Sequence, residues 1–79
     1  MKVVTLYTKP GCHLCEAVEQ VIGRVKQRKR FDLVVKNILE DSAEFERYQF
    51  DVPVVMLDGR EVARHRMDAG VLEMALDAP

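Results

Sequence analysis

The feature that most constrains this fold is a change in the spacing of apolar residues at Lys9-Pro10-Gly11. Before this turn, residues 3–8 are rich in the β-branched and aromatic types that are typical of a strand. After the turn, apolar residues recur every three or four positions, which is the period of a helix. They are Leu14, Ala17, Val18, Val21, Ile22 and Val25. A strand that turns directly into an amphipathic helix favours an α/β fold.

The next segments predict a second strand and a second helix. Residues 31–38 have an uninterrupted apolar centre, Leu33-Val34-Val35, which is typical of a strand that is covered on both faces. Asp41 is expected to cap a short helix, and Glu44 is placed three residues later as a capping-box partner. The aromatic residues of this helix are spaced to point inward: Phe45 and Tyr48.

Two more strands and a last helix complete the pattern. Residues 52–57 and 60–65 are strand-like, and Asp58-Gly59 between them is a strong signal for a tight hairpin. Asp68 is expected to cap the final helix, whose apolar residues are Val71, Leu72, Ala75 and Leu76.

The predicted order is β-α-β-α-β-β-α, a four-stranded mixed sheet flanked by three helices on its two faces. The first two strands should be parallel because a helix connects them. Residues 1–79 are few enough that we expect a single domain.

Charge and hydropathy exclude several partners. Twelve Lys and Arg residues against thirteen Asp and Glu residues give a net charge of −1, so no overall field attracts nucleic acid. No apolar run approaches the roughly 18 residues of a membrane span, and residues 1–8 are too polar for a signal peptide. We therefore expect a cytoplasmic monomer with no nucleic-acid or membrane partner. The basic residues 24–30 are interpreted as the solvated, cationic end of the first helix.

Two cysteines, Cys12 and Cys15, carry the strongest chemical signal. A disulfide closing so short a loop contributes at most about 2 kcal/mol, and a reducing cytosol does not maintain it. At the start of a helix, by contrast, free backbone N–H groups stabilise a thiolate at Cys12. Cys15 lies one turn later and should be less exposed. The pattern predicts that Cys12 attacks a disulfide and that Cys15 resolves the mixed disulfide.

Other uses of the two thiols remain open. Zinc would need four ligands, and the available set is Cys12, Cys15, His13 and His65. An iron–sulfur cluster bridged by two copies of the chain is a second alternative. A third is an adaptor that docks a partner through Val52-Pro53 and uses the cysteines as a redox switch.

The segment Tyr7-Thr8-Lys9-Pro10-Gly11-Cys12, followed by Cys15, resembles the active site of glutaredoxins in the thioredoxin superfamily. The element order is similar to the complete thioredoxin-like fold, and Val52-Pro53 is similar to the Val-Pro element of this family. The resemblance implies a cis peptide bond at Pro53 and backbone pairing of Val52 with an extended thiol substrate. It also implies that Lys9 stabilises the thiolate and contacts substrate.

The chain departs from the family pattern beside both cysteines and after the hairpin. His13 and Leu14 replace the usual Pro-Tyr, and Ala63-Arg64 stand where two glycines allow close approach to glutathione. His13 is retained as a candidate substrate-binding residue. The sequence is similar to compact, divergent bacterial glutaredoxin-like proteins.

The resemblance implies a thiol–disulfide oxidoreductase that reduces protein or low-molecular-weight disulfides. We expect no bound cofactor and no metal. Glutathione or a thioredoxin-type reductase is the expected reductant.

Overall fold

The chain forms four strands and three helices in the order that the sequence predicts. A computed structural model describes residues 1–79. A single 3₁₀ turn, Ile38–Glu40, lies between the second strand and the second helix. The elements are β1 (Val3–Thr8), α1 (His13–Lys26), β2 (Asp32–Asn37), α2 (Ser42–Tyr48), β3 (Val54–Leu57), β4 (Arg60–Arg64) and α3 (Ala69–Asp77).

The four strands form one mixed sheet in the order β2-β1-β3-β4. The first two strands are parallel and β3 and β4 form an antiparallel hairpin, as predicted. The structure adds that β3 also runs antiparallel to β1. Tyr7 near the end of β1 lies opposite Val54 at the start of β3. This register brings the turn after β1 close to the segment that precedes β3.

The larger core lies between one face of the sheet and two helices. Val4 and Leu6 point from β1 into a cluster that contains Val18, Ile22 and Leu72 from α1 and α3. All of these side chains are almost completely buried. Each contributes roughly 1.5–3 kcal/mol on burial, so this cluster is the main source of stability for so short a chain.

A smaller core on the other face supports the cysteines. Cys15 is buried with Ile38, Tyr48, Val52 and Val54, and Cys12 packs against this group. The ring of Tyr48 lies 4.6 Å from the ring of Tyr7, so α2 covers the sheet at the end where β1 turns into α1.

The prediction that β2 is covered on both faces is wrong. This strand pairs with β1 alone and forms an edge of the sheet. Val35 is 45% exposed, and Val34 is nearly as accessible. The helices pack over the central strands, and three of them are too few to cover the edge as well. An apolar run does not by itself distinguish an edge strand from a central one.

Local details also differ from the expectations. Asp41 caps α2 through the N–H groups of Ala43 and Glu44, as predicted, but the Glu44 carboxylate does not complete a capping box. It pairs instead with Lys36 on β2, at 3.1 Å, because the adjacent strand offers an opposite charge. Phe45 of this helix is exposed rather than directed inward.

Three strands are shorter than predicted. β2 spans 32–37 rather than 31–38, because Ile38 already belongs to the 3₁₀ turn. β3 begins at Val54, since Pro53 has no N–H to donate to the sheet. β4 ends at Arg64, where the backbone changes direction.

The predicted hairpin and the last cap are confirmed. Asp58 and Gly59 have φ of +49° and +85°, which are the two positive values that the tightest hairpin turns require. The Asp68 side chain accepts a hydrogen bond from the N–H of Val71 at 3.0 Å, and α3 begins at the next residue.

Two of the basic residues interpreted as solvated, which lie just after the end of α1, pair with carboxylates of the same chain. Arg28 pairs with Glu73 at 2.6 Å, and Lys29 pairs with Asp77 at 3.1 Å. These two ion pairs join the end of α1 to α3. None of the helices combines the length and the apolar character needed to cross a membrane.

Candidate active site

Cys12 and Cys15 form a disulfide at the start of α1. Cys12 is the N-cap residue of this helix, and its Sγ accepts a hydrogen bond from the backbone N–H of Cys15 at 3.1 Å. Cys12 is partly exposed, whereas Cys15 is only 2% exposed. A disulfide partner from solution can therefore reach Cys12 and not Cys15.

The local sequence explains this geometry. Gly11 has a φ of +75°, which lets the chain turn sharply from β1 into α1. Cys12 then has an extended backbone, and its carbonyl accepts the first helical hydrogen bond, from the N–H of Glu16 at 3.1 Å. The sulfur is left among N–H groups that have no partner inside the helix, at the positive end of the helix dipole.

The segment before β3 lies beside the cysteines, as the fold register requires. The peptide bond between Val52 and Pro53 is cis. Val52 shares the smaller core with Cys15, which brings these two predicted site residues together. The Val52 N–H donates to the carbonyl of Tyr48 at 3.2 Å, so a substrate that pairs with both backbone groups of Val52 must replace this bond.

Lys9 and His13 lie near the cysteines in the chain, but neither hydrogen-bonds to a sulfur. The Lys9 ammonium donates to the carbonyl of Gln49 at 3.3 Å, which ties the end of β1 to the end of α2. His13 is 96% exposed, and its Nδ1 lies 3.6 Å from the Glu16 carboxylate. Lys9 is partly exposed and His13 is almost fully exposed.

An ion-pair network, which the sequence does not predict, holds the segment before Pro53. Arg64 at the end of β4 contacts Asp51 at 3.2 Å and Glu61 at 2.5 Å. The hydrogen bond from Arg64 lowers the pKa of Glu61 below its ordinary value and raises the pKa of Arg64. The guanidinium of Arg64 is therefore held by two carboxylates of the same chain.

The loop between β4 and α3 contains an unusual backbone conformation at His65. Its φ is +70°, and the N–H of Arg66 donates to the carbonyl of Arg64 at 2.8 Å, which forms a γ-turn around His65. The N–H of His65 donates to the carbonyl of Pro53, also at 2.8 Å. The glycine-like position of this stretch is therefore His65, and not Ala63 or Arg64, which lie in β4.

The four residues considered for zinc do not converge. No group of three or more His, Cys, Asp or Glu side chains is arranged to hold a metal ion. His13 points to Glu16, and His65 lies in the loop before α3. The zinc alternative therefore has no ligand set within one chain. The cluster bridged by two copies stays a hypothesis.

The mixed sheet, its helices and a cysteine pair at the start of the first helix define a protein of the thioredoxin-like fold. Residues 3–77 match the family model of the glutaredoxin-like domain (DUF836). The chain belongs to this glutaredoxin-like family of the thioredoxin superfamily. Family membership and the Cys12–Cys15 disulfide together support a redox role.

Individual relatives agree with this assignment. The chain is 28% identical over 80 residues to the glutaredoxin-like protein YDR286C homolog of Dictyostelium discoideum, covering 94% of this chain and 74% of the relative. Among solved structures, the X-ray structure of protein XcR50 from X. campestris is 32% identical with a TM-score of 0.78, over 96% of this chain and 99% of that one. A thioredoxin mutant from Halobacterium salinarum shares the fold, with a TM-score of 0.73 at 20% identity over 96% of this chain and 72% of that one.

Proposed function

We propose that this protein is a thiol–disulfide oxidoreductase that uses Cys12 as its nucleophile and Cys15 as its resolving thiol. The observation that carries the proposal is the pairing of an accessible sulfur with a buried one at a helix N-terminus. A disulfide that only stabilised the fold would gain little from closing so short a loop.

The reaction begins from the reduced protein. The Cys12 thiolate attacks one sulfur of a substrate disulfide, and a new bond forms between Cys12 Sγ and that sulfur. The substrate disulfide bond breaks, and its other sulfur leaves as a thiolate that takes a proton from water. The Cys15 thiol then loses its proton and attacks Cys12 Sγ, which releases the second substrate thiol. Two electrons pass to the substrate, and the protein ends as the Cys12–Cys15 disulfide.

The order of attack follows from burial and charge. The N–H of Cys15 points at Cys12 Sγ, so the same group that caps the helix is available to stabilise a thiolate at that sulfur. Cys15 lies in the smaller core, where an apolar environment disfavours the charged form until the mixed disulfide is present. The accessible sulfur therefore reacts first.

The surrounding residues have proposed roles in substrate binding. The Val52 backbone and Pro53 would align the chain that carries the substrate sulfur, and Lys9 and His13 would meet its polar groups. The substrates are proposed to be protein or low-molecular-weight disulfides. Glutathione or a thioredoxin-type reductase would return two electrons to the disulfide, in a reducing compartment such as the cytoplasm.

Equilibration with glutathione tests this proposal. The protein is incubated at fixed ratios of reduced to oxidised glutathione, quenched by alkylation and analysed by mass spectrometry. We expect a two-electron transition between the dithiol and the Cys12–Cys15 disulfide, with glutathione attached transiently to Cys12 only. A protein whose cysteines remain reduced at every ratio, and that reduces no small or protein disulfide, would contradict the proposed function.

A further inference from the structure

An open groove lies between α1 and the start of α3, and we call it the α1–α3 groove. Its volume is about 460 Å³, which is within the range of clefts that bind small ligands or short segments. One end of it is formed by Leu14, which lies between the two cysteines in the chain. Its apolar wall is formed by Leu14, Ala17, Val18, Val21, Met67 and Val71.

Several of these apolar side chains remain accessible although they line a concave surface. Leu14 is 39% exposed and Val71 is 40% exposed, while Ala17 is also exposed. In the first helix, the exposed apolar residues extend the buried stripe toward the groove rather than facing away from it. The groove therefore offers apolar surface that the fold itself does not cover.

The rim of the groove includes a positively charged side chain that has no partner within the chain. Its polar residues are His65, Arg66 and Asp68. The Asp68 carboxylate already accepts the N–H of Val71 as the cap of α3. Arg66 makes no ion pair or side-chain hydrogen bond within the chain, in contrast to Arg64, which is held by two carboxylates. Arg66 is thus a cation available to a ligand beside an apolar wall.

The rim is also fixed relative to the cysteines. The γ-turn at His65 is bonded through its N–H to the carbonyl of Pro53. A non-glycine residue at a positive φ is energetically costly and persists where tertiary contacts hold it. The distance between the rim of the groove and the proposed substrate-pairing segment, Val52-Pro53, is therefore fixed by this hydrogen bond.

We propose that the α1–α3 groove binds a segment of a protein disulfide substrate, next to the cysteine that Cys12 attacks. The segment would place an aliphatic side chain against the apolar wall and a carboxylate beside Arg66. This inference rests on the proposed function and names its substrate class. Glutathione matches the groove poorly because it has no aliphatic side chain for that wall.

Short peptides provide the test. Each peptide has one cysteine, linked by a disulfide to 5-thio-2-nitrobenzoate, so attack by Cys12 on the peptide sulfur releases a coloured thiolate. One set carries Leu and Glu two and three residues from the cysteine, on either side. Matched peptides carry Lys in place of Glu, or Ser in place of Leu. With the reduced wild-type protein, we expect the Leu–Glu peptides to react about tenfold faster than either matched set.

Two pairs of variants localise the effect. Arg66→Glu should reverse the preference from Glu to Lys peptides, whereas Arg60→Glu, an equal charge change at the hairpin, should leave it intact. Val71→Ser should reduce the preference for Leu over Ser severalfold. Val35→Ser, on the exposed edge strand, has a similar accessibility and should not. Oxidation of each reduced variant by bis(2-hydroxyethyl) disulfide should stay within twofold of wild type.

The outcomes separate the two levels of the argument. Equal rates with all peptides, or an unchanged preference in Arg66→Glu, would overturn the groove assignment. Oxidation by the small disulfide in the same variants would still support the proposed function. Failure to react with either the small disulfide or any peptide would overturn the proposed function itself. Faster reaction with oxidised glutathione than with the Leu–Glu peptides, slowed by Arg66→Glu, would make this a glutathione site and contradict our inference. A dimer that Arg66→Glu dissociates would assign the groove to a second copy instead.

Discussion

The backbone N–H of Cys15 donates a hydrogen bond to Cys12 Sγ at 3.1 Å, so the residue proposed to resolve the reaction also supports the sulfur proposed to start it. In most helices a hydroxyl or carboxylate oxygen accepts this bond at the N-cap. Here the capping atom is the proposed nucleophile, so the cap of α1 and the proposed chemistry depend on the same contact.

Alkylation of reduced Cys12 should reach its full rate at a lower pH than alkylation of free cysteine, whose pKa is about 8.5. The physical reason is the partial positive charge at the start of α1, which favours the thiolate. The measurement is the rate of reaction with iodoacetamide from pH 4 to 10 in Cys15→Ser, with mass spectrometry to count adducts. A curve that coincides with that of glutathione would contradict thiolate stabilisation.

Substitution of each cysteine should have a different effect. Cys12→Ser should lower disulfide reduction roughly a thousandfold or more, because a hydroxyl is not ionised at neutral pH. Cys15→Ser should instead accumulate a mixed disulfide on Cys12, which mass spectrometry detects as the added mass of one substrate thiol. Serine is a good N-cap, so Cys12→Ser should keep the stability of the reduced wild type. Equal turnover in the two variants would refute the assigned roles.

Asp68→Ala should destabilise the protein by about 1 kcal/mol, because α3 loses the side-chain acceptor for the N–H of Val71. Asp77→Ala, at the other end of the same helix, removes only an exposed ion pair with Lys29 and should change stability by less than about 0.5 kcal/mol. Urea denaturation of both variants under reducing conditions compares them. Equal losses would show that the cap makes no special contribution.

Ile22→Ala should lower the free energy of unfolding by about 2–5 kcal/mol, since this side chain is completely buried between the sheet and α3. For so small a domain this loss approaches the total stability. Met74→Ala on the exposed face of α3 is the matched control and should stay within about 0.5 kcal/mol. Thermal unfolding followed by circular dichroism measures both, and a similar melting temperature for the two variants would contradict the assigned core.

Glu61→Gln should destabilise the protein near neutral pH but not in acid. The pKa of Glu61 is held below its ordinary value of 4.5 by Arg64, so its stabilising contribution is present above that value and is lost as the pH falls through the lowered pKa. The melting temperatures of wild type and variant should therefore converge as the pH falls below 4.5 and through the lowered pKa. Glu46→Gln, an exposed glutamate without an ion pair, should show no such pH-dependent difference.

Elements with a local signal were predictable from the sequence. The helical spacing of α1, the Asp58-Gly59 hairpin and the caps at Asp41 and Asp68 depend on neighbours within a few residues. The position of Cys12 at the join of a strand and a helix was also predictable from local sequence. The cis bond at Pro53 followed only from resemblance to a family, since an isolated Val-Pro pair favours trans.

The missed features depend on residues that are distant in the chain. The Glu44 carboxylate pairs with Lys36 and not with the N-terminus of its own helix. Val35 is exposed because the strand order places β2 at the edge of the sheet. Arg64 contacts Asp51 because the pairing of β4 with β3 places Arg64 opposite Val54, close to the segment before β3. None of these partners can be chosen by counting along the sequence.

The sequence by itself determined which segments become strands and helices and which sulfur begins α1, because apolar period, turn residues and caps act over a few positions. Only the tertiary structure decided which faces are covered, which charges are paired, and that Arg66 lies on the rim of an apolar groove without an ion-pair partner. Those outcomes follow from packing, in which each contact excludes others across the whole chain.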